Sequence, residues 1–202
     1  MANNTYMSGR KKYKRPQAVL WADKPPIYDA VNGLWLPQGD ETGLAANNND
    51  NFIILSDHGR KTMEFNTQRI EKRERMINGR MRSYHIADKV NLNISWNTLP
   101  SRGFSLDPSF DSTGKSTAGT MYTVDGGAGG AEILKWYETH TGSFWVMLAY
   151  DKHENFSTNE YGRLAQYNEA IEMFFSDFTY SVEKRGGNNY DFWNITVKLE
   201  EV

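Results

Sequence analysis

The chain has no cysteine among its 202 residues, which excludes a disulfide framework and any thiolate metal site. Without thiols, either redox compartment suits it. No apolar run approaches the roughly 18 residues of a membrane span. The basic run Arg10-Lys11-Lys12-Tyr13-Lys14-Arg15 lacks the apolar stretch that a signal peptide needs. A soluble, non-secreted chain is therefore expected. Excess charge of one sign is also missing: the net charge is −2, which argues against a general polyanion binder. Hydrophobic residues are a modest 39%, but 13% of the chain is aromatic, enough for a core built from Trp, Tyr and Phe. The length fits one domain with insertions, or a domain plus an arm.

Catalytic patterns are absent too. His58, His85, His140 and His153 never pair at metal-ligand spacing, so each reads as structural; His140 falls at a helix end, where an imidazolium suits the dipole. Gly114-Lys115-Ser116-Thr117 resembles the end of a phosphate loop, but Ser109 stands where its first glycine belongs and no apolar strand precedes it. Asp125-Gly126-Gly127-Ala128-Gly129-Gly130 misses the GxGxxG spacing because Glu132 occupies the third glycine position counted from Gly127; a flexible loop entering a helix is expected there. No serine sits in a GxSxG elbow and the carboxylates are dispersed. The chain is read as a non-enzyme with no catalytic residues, metal or cofactor.

What is present is alternation. Phe178–Arg185 and Tyr190–Val202 both alternate apolar and polar residues around Gly186-Gly187-Asn188-Asn189, the pattern of an antiparallel hairpin. Trp193, Ile195, Val197 and Leu199 share one face of the second strand, which ends with the chain and ties the terminus down. Lys89–Pro100 repeats the pattern, with Val90, Leu92, Ile94 and Trp96 on its apolar face and Pro100 as the stop. Between Met63 and Ile86, Asn78-Gly79 predicts a long charged hairpin, in preference to a charged helix over Gln68–Ile77. Phe52–Leu55 reads as a short strand closed by the turn Ser56–Gly59. Ser143–Tyr150 reads as a strand buried on both faces.

Two helices are expected. One covers Ala131–His140, with Gly142 past its end. The second covers Arg163–Phe175, with Leu164, Tyr167, Ile171 and Phe174 on one face and capping-box spacing at Ser157–Glu160. The fold class is thus α+β and β-dominated, an antiparallel sandwich or rolled sheet with one or two short helices and a long polar hairpin. Residues 1–51 form an extended arm rich in Pro, Gly and Asn, and residues 52–202 form the domain, with a long loop at 101–130. Trp21, Tyr28 and Trp35 are the expected arm anchors, on the chain's own domain or on a neighbour. Trp21 and Trp35 are also the candidates for exposed platforms. Arg10–Arg15 reads as a tail or as an arm meeting acidic surfaces more readily than as a nucleic-acid arm.

The polar hairpin is followed by Trp96 and Leu99-Pro100-Ser101-Arg102, a helix with Trp136-Tyr137, and the closing pair of strands. Over residues 52–202 this series resembles tail proteins of tailed bacteriophages, including minor tail proteins. The resemblance implies a tail tube or distal tail fold, a sandwich or rolled sheet with a flanking helix. It also implies rings, commonly hexameric, whose sheets join around a DNA channel. It further implies a structural subunit of the virion tail, made in the host cytoplasm, contacting adjacent tail proteins, with DNA only in transit and no membrane. Arg69, Glu71, Arg73, Glu74, Arg75, Arg80 and Arg82 are then placed at contacts between subunits or between rings, where Arg–Glu pairs can set register. A carbohydrate-binding or adhesion module of a virion is the alternative.

Overall fold

The computed structural model describes residues 19–31, 34–37, 52–106, 119–149, 167, 169–186 and 190–202. In chain order the strands are β1 (Val19–Ala22), β2 (Ile27–Asp29), β3 (Leu34–Leu36), β4 (Phe52–Ile54), β5 (Glu64–Arg75), β6 (Met81–Pro100), β7 (Phe104–Leu106) and β8 (Gly119–Met121). Helix α1 (Gly130–Thr139) follows, then β9 (Phe144–Leu148), β10 (Glu169–Gly186) and β11 (Tyr190–Glu201). The fold is strand-dominated, with one short helix among the described residues.

Seven strands form one antiparallel sheet in the order β4-β1-β9-β10-β11-β6-β5. Period-two side chains give it two unlike faces. On the first face Trp96, Ile94, Leu92, Val197, Leu199, Val146 and Phe144 pack beneath Ile133 and Trp136 of α1. Trp21 sits fully buried in this cluster, edge-on to Phe144 and Phe175 at 5.5 and 5.4 Å. On the second face, only the β4-β1-β9 side is dry: Leu20, Phe52, Ile54, Met147 and Tyr167 form a smaller cluster, with Trp35 packed on it. The β2–β3 hairpin docks there through the Trp35 amide, which donates to the Tyr167 carbonyl at 2.8 Å. Being dry on both faces, β1, β4 and β9 are apolar throughout.

One end of the sheet is tied by a buried carboxylate. Asp125 accepts hydrogen bonds from the Ser56 hydroxyl (2.6 Å), the Asp57 amide (2.8 Å) and the Gly127 amide (2.9 Å). Those three donors satisfy a charge that would otherwise be costly to bury. Glu132 works beside it, accepting from the Gly129 amide at 2.6 Å and the Gly103 amide at 3.1 Å, and so caps the start of α1. Residues 125–130 are all buried. A Cβ on Gly127 would stand 2.6 Å from the Ser56 Cα. The flexible loop expected here is instead a packed clasp, because glycine lets backbone meet backbone.

The predicted polar hairpin is present. β5 and β6 pair from Glu64↔Asn93 to Arg75↔Met81, and the Arg80 amide donates to the Asn78 side chain in the connecting turn. The predicted second helix is not. Glu169–Phe175 belongs to β10, and residues 157–166 lie outside the described residues. Tyr167, Ile171 and Phe174 have helical spacing, but the chain here lies between β9 and β11, which supply a hydrogen-bonded ladder on both sides. Ile171 and Met173 then meet one cluster and Ala170 the other. Tertiary pairing overrides a short helical period. His153, Gly114–Thr117 and Arg10–Arg15 also lie outside the described residues.

Two glycines with positive φ separate conformation from crowding. Gly59 (φ +64°) lies against β6, where an added Cβ would sit 2.0 Å from the Asn97 carbonyl oxygen, whereas Gly79 (φ +79°) opens to free space. Gly79→Ala is expected to cost about 1 kcal/mol from conformation alone, and Gly59→Ala about 2 kcal/mol more through the clash. Chemical denaturation of the two variants checks the order; equal losses would contradict it.

Candidate functional site

β6 is far longer than the strand beside it. The ladder from β11 stops at Glu200↔Asn91, so among the described strands Met81–Val90 pairs only with β5. Lys89 reaches the Val202 carbonyl, and the Val90 amide donates to the Glu201 carboxylate at 2.8 Å, which seals the point of departure. Beyond it a two-stranded ribbon projects with nearly every side chain exposed. An isolated ribbon is marginal in water, and cross-strand pairs set its register.

They form on one face. Arg69 donates to both Asp88 oxygens, Nε at 2.9 Å, and His85 Nε2 lies 3.0 Å from the same carboxylate. Glu71 meets Arg73 and accepts from the Ser83 hydroxyl. Hydrogen bonding from Arg69, then from His85, holds the Asp88 carboxyl below the usual carboxylate range. The Ser83 hydroxyl, then Arg73, do the same for Glu71. Being exposed, these pairs fix register and contribute little stability.

A bulge decides which way the row points. Ile70 opposes Ala87, yet Glu71 opposes His85, leaving Ile86 without a partner. The extra residue exchanges the faces of everything beyond it. Asp88, His85 and Ser83 therefore continue the Val90–Leu92 face, while Ile70, Tyr84 and the Lys72–Glu74 pair take the other. At the tip, Met76 and Met81 flank Ile77, which is fully exposed. Between Arg69 and Arg82, six Lys/Arg face two Glu, a local balance of +4 in a chain of −2.

Of the seven hairpin residues picked from sequence, Arg69, Glu71 and Arg73 belong to the ordered row, and Glu74 pairs with Lys72. Arg75, Arg80 and Arg82 have no ion pair among the described residues. Trp21 is 0% exposed and cannot be a surface platform. Tyr28 is half exposed and packs on Trp35 with ring centres 5.0 Å apart. Sequence reasoning passed over Asp125, whose only signal is an acid before a glycine run, and Asp88, which spacing alone does not pair with Arg69.

The second candidate surface is the uncovered part of the sheet's second face. Thr196, Lys198 and Glu200 of β11 lie beside Asn91, Asn93 and Ser95 of β6 and Glu64 and Asn66 of β5. No described element covers them. They are mostly neutral, and Lys198 is paired with Asp177 at 2.9 Å. Both edges of this half are open among the described residues: β5 on its outer side, and β10 beyond Met173, where β9 ends. The opposite edge, β4, is closed by the Ala128 amide donating to the Ile54 carbonyl at 2.8 Å.

No group of three or more His, Asp or Glu placed to hold a metal occurs among the described residues. His58 accepts the Val124 amide on Nδ1 at 3.2 Å, and His140 stacks on Trp136 at 3.8 Å between ring centres. No described helix is long and apolar enough to cross a membrane.

No family model matches the chain, and no curated protein matches it. Among solved structures it is similar to a chain in the tail of an empty GTA particle with C6 symmetry, at 9% identity and a TM-score of 0.34, over 86% of this chain and 94% of that one. At that level the likeness fixes neither fold nor role.

A depressed carboxyl in the folded ribbon stabilises it above the ordinary carboxylate range and is lost as pH falls through the depressed value. NMR titration should therefore show Asp88 ionising below a free aspartate, and Arg69→Gln should move it back up without changing the core. An ordinary Asp88 titration in the unaltered chain would contradict the row.

Proposed function

We propose that the chain is a structural subunit of a bacteriophage tail, in the tail tube or a distal tail or tail-tip ring, forming part of the DNA-conducting channel. The observation that carries this reading is a half-sheet that has, among the described residues, two open edges and one bare polar face. A long unpaired edge invites another strand, and β5 and the distal half of β10 are antiparallel-compatible edges on opposite sides of the same half-sheet. Pairing β5 of one copy with β10 of the next is heterologous and closes into a ring when the rotation allows, six copies being the proposed number. The helix then lies outside, and the polar face of Asn91, Asn93, Ser95, Thr196, Lys198 and Glu200 lines the lumen. A near-neutral lining passes DNA, whereas a basic one would hold it.

In this reading, Val19–Ala22 and the β2–β3 hairpin complete the subunit's own sheet, the ribbon bearing Arg69–Arg82 contacts adjacent copies or tail proteins, and the subunit resides in the virion tail. The resemblance of residues 52–202 to tail proteins supplies the setting, and the edges supply the assembly. A carbohydrate-binding or adhesion module of a virion is the second reading; Tyr28 with Trp35 is the aromatic pair it would use, and loss of glycan binding on Tyr28→Ala would support it.

Light scattering over a concentration series, with imaging of the particles formed, tests the leading proposal. Closed rings with a central opening are expected. A chain that stays monomeric at high concentration and is missing from labelled tails contradicts it.

A further inference from the structure

Two features are not absorbed by a ring closed through sheet edges. The first is the ribbon tip, with Ile77 fully exposed, Met81 at 57% exposure, and Arg75, Arg80 and Arg82 without ion pairs among the described residues. The second is a row of aromatic side chains on the α1 face. Tyr137 of the helix stacks on Phe178 (4.4 Å, 10°), Phe178 adjoins Tyr180 (6.1 Å), and Tyr180 stacks on Trp193 (5.2 Å, 17°). Trp193 is backed by Gly130, where a Cβ would come within 3.0 Å of the indole. The row is therefore rigid, yet Tyr180 and Val182 at its outer end are 50% and 53% exposed. Continuous exposed apolar surface of this kind marks contact sites.

The strand registers set these two features apart along the molecule. The tip precedes Met81, at the start of β6. Val182 opposes Trp193, which opposes Leu99, one residue from the end of β6. All but one of the 20 residues of β6 lie between the two levels, roughly 60 Å at the usual rise. No copy can fold its own tip onto its own row, but a copy displaced along the strand direction presents its tip to its neighbour's row.

The chemistry matches. Guanidinium groups stack on aromatic faces, methionine sulfur favours ring edges, and Ile77 supplies an apolar anchor for a flat patch. Charge agrees as well, since the tip segment is locally +4 and the remainder of the chain balances to −6.

We infer that the ribbon tip of one copy docks on the Tyr180–Val182–Trp193 row of a second copy, an axial head-to-tail contact separate from the sheet edges. This rests on the assembly reading above and names the surface its ribbon meets, separate from the sheet edges that close the ring. Because tip and row are different patches, the contact is heterologous and repeats without closing, giving stacks.

The absence of cysteine makes a direct test possible. Ile77→Cys and Val182→Cys, both at exposed positions, are made in separate copies, mixed and oxidised, with Lys135→Cys on the outer side of α1 as the control partner. We expect a 77–182 disulfide between copies, little product from either variant alone at equal concentration, and little with the control. Adding Arg75→Ala, Arg80→Ala and Arg82→Ala to the Ile77→Cys copy should cut the yield roughly tenfold. Rings by light scattering with no 77–182 product overturn this contact and leave the ring reading standing; the product without rings does the reverse. A 77–77 product overturns it. So does salt-sensitive binding of duplex DNA that the three arginine changes abolish, without the 77–182 product.

Discussion

The mismatch in length between β6 and β11 is the constraint on which the rest depends. β6 runs for 20 residues, and β11 pairs with it only from Asn91 to Pro100. Its first half must find hydrogen bonds elsewhere, since unpaired backbone is costly away from water. β5 supplies them on one side and nothing described supplies them on the other. One continuous strand thus belongs to a packed sheet and to a bare ribbon. It couples the two rigidly, because a strand cannot shift register on one half alone.

Burial explains why the sheet stays open. α1 and its aromatic partners dry the first face, and the β2–β3 hairpin dries one side of the second. The apolar supply then ends: Asn91, Asn93 and Ser95 of β6 and Thr196, Lys198 and Glu200 of β11 occupy the remaining positions, where closure by another layer would strand their polar groups. The clasp at Asp125 closes the β4 edge and, among the described residues, the other edges stay exposed. A surface that is open on two edges and wet on one face is suited to joining copies of itself.

Much of this was legible in the sequence, because alternation survives wherever one face is buried and the other wet. The closing hairpin, the Asn78-Gly79 ribbon, the strand ending at Pro100 and helix α1 are each written in local pattern. Glu169–Phe175 was not: apolar residues on both faces of a doubly paired strand mimic helical spacing. Val19–Ala22 is as apolar as an anchor and as an interior strand, and only its two partners distinguish these. The bulge at Ile86 was invisible, since Tyr84 and Ile86 continue the even-numbered apolar series of Val90–Trp96 while the extra residue turns Tyr84 to the other face. The ionic row follows from that bulge, so Arg69 could be picked as charged but not paired with Asp88.

Backbone amide exchange on β5, compared between isolated chain and assembled particle, tests the central claim most directly. In antiparallel pairing alternate residues of an edge strand turn their amides outward. The account predicts that the outward amides of β5 exchange rapidly in the isolated chain and become protected on assembly, together with those on the free edge of β10 beyond Met173. Assembled particles in which both edges still exchange at the isolated rate would contradict it.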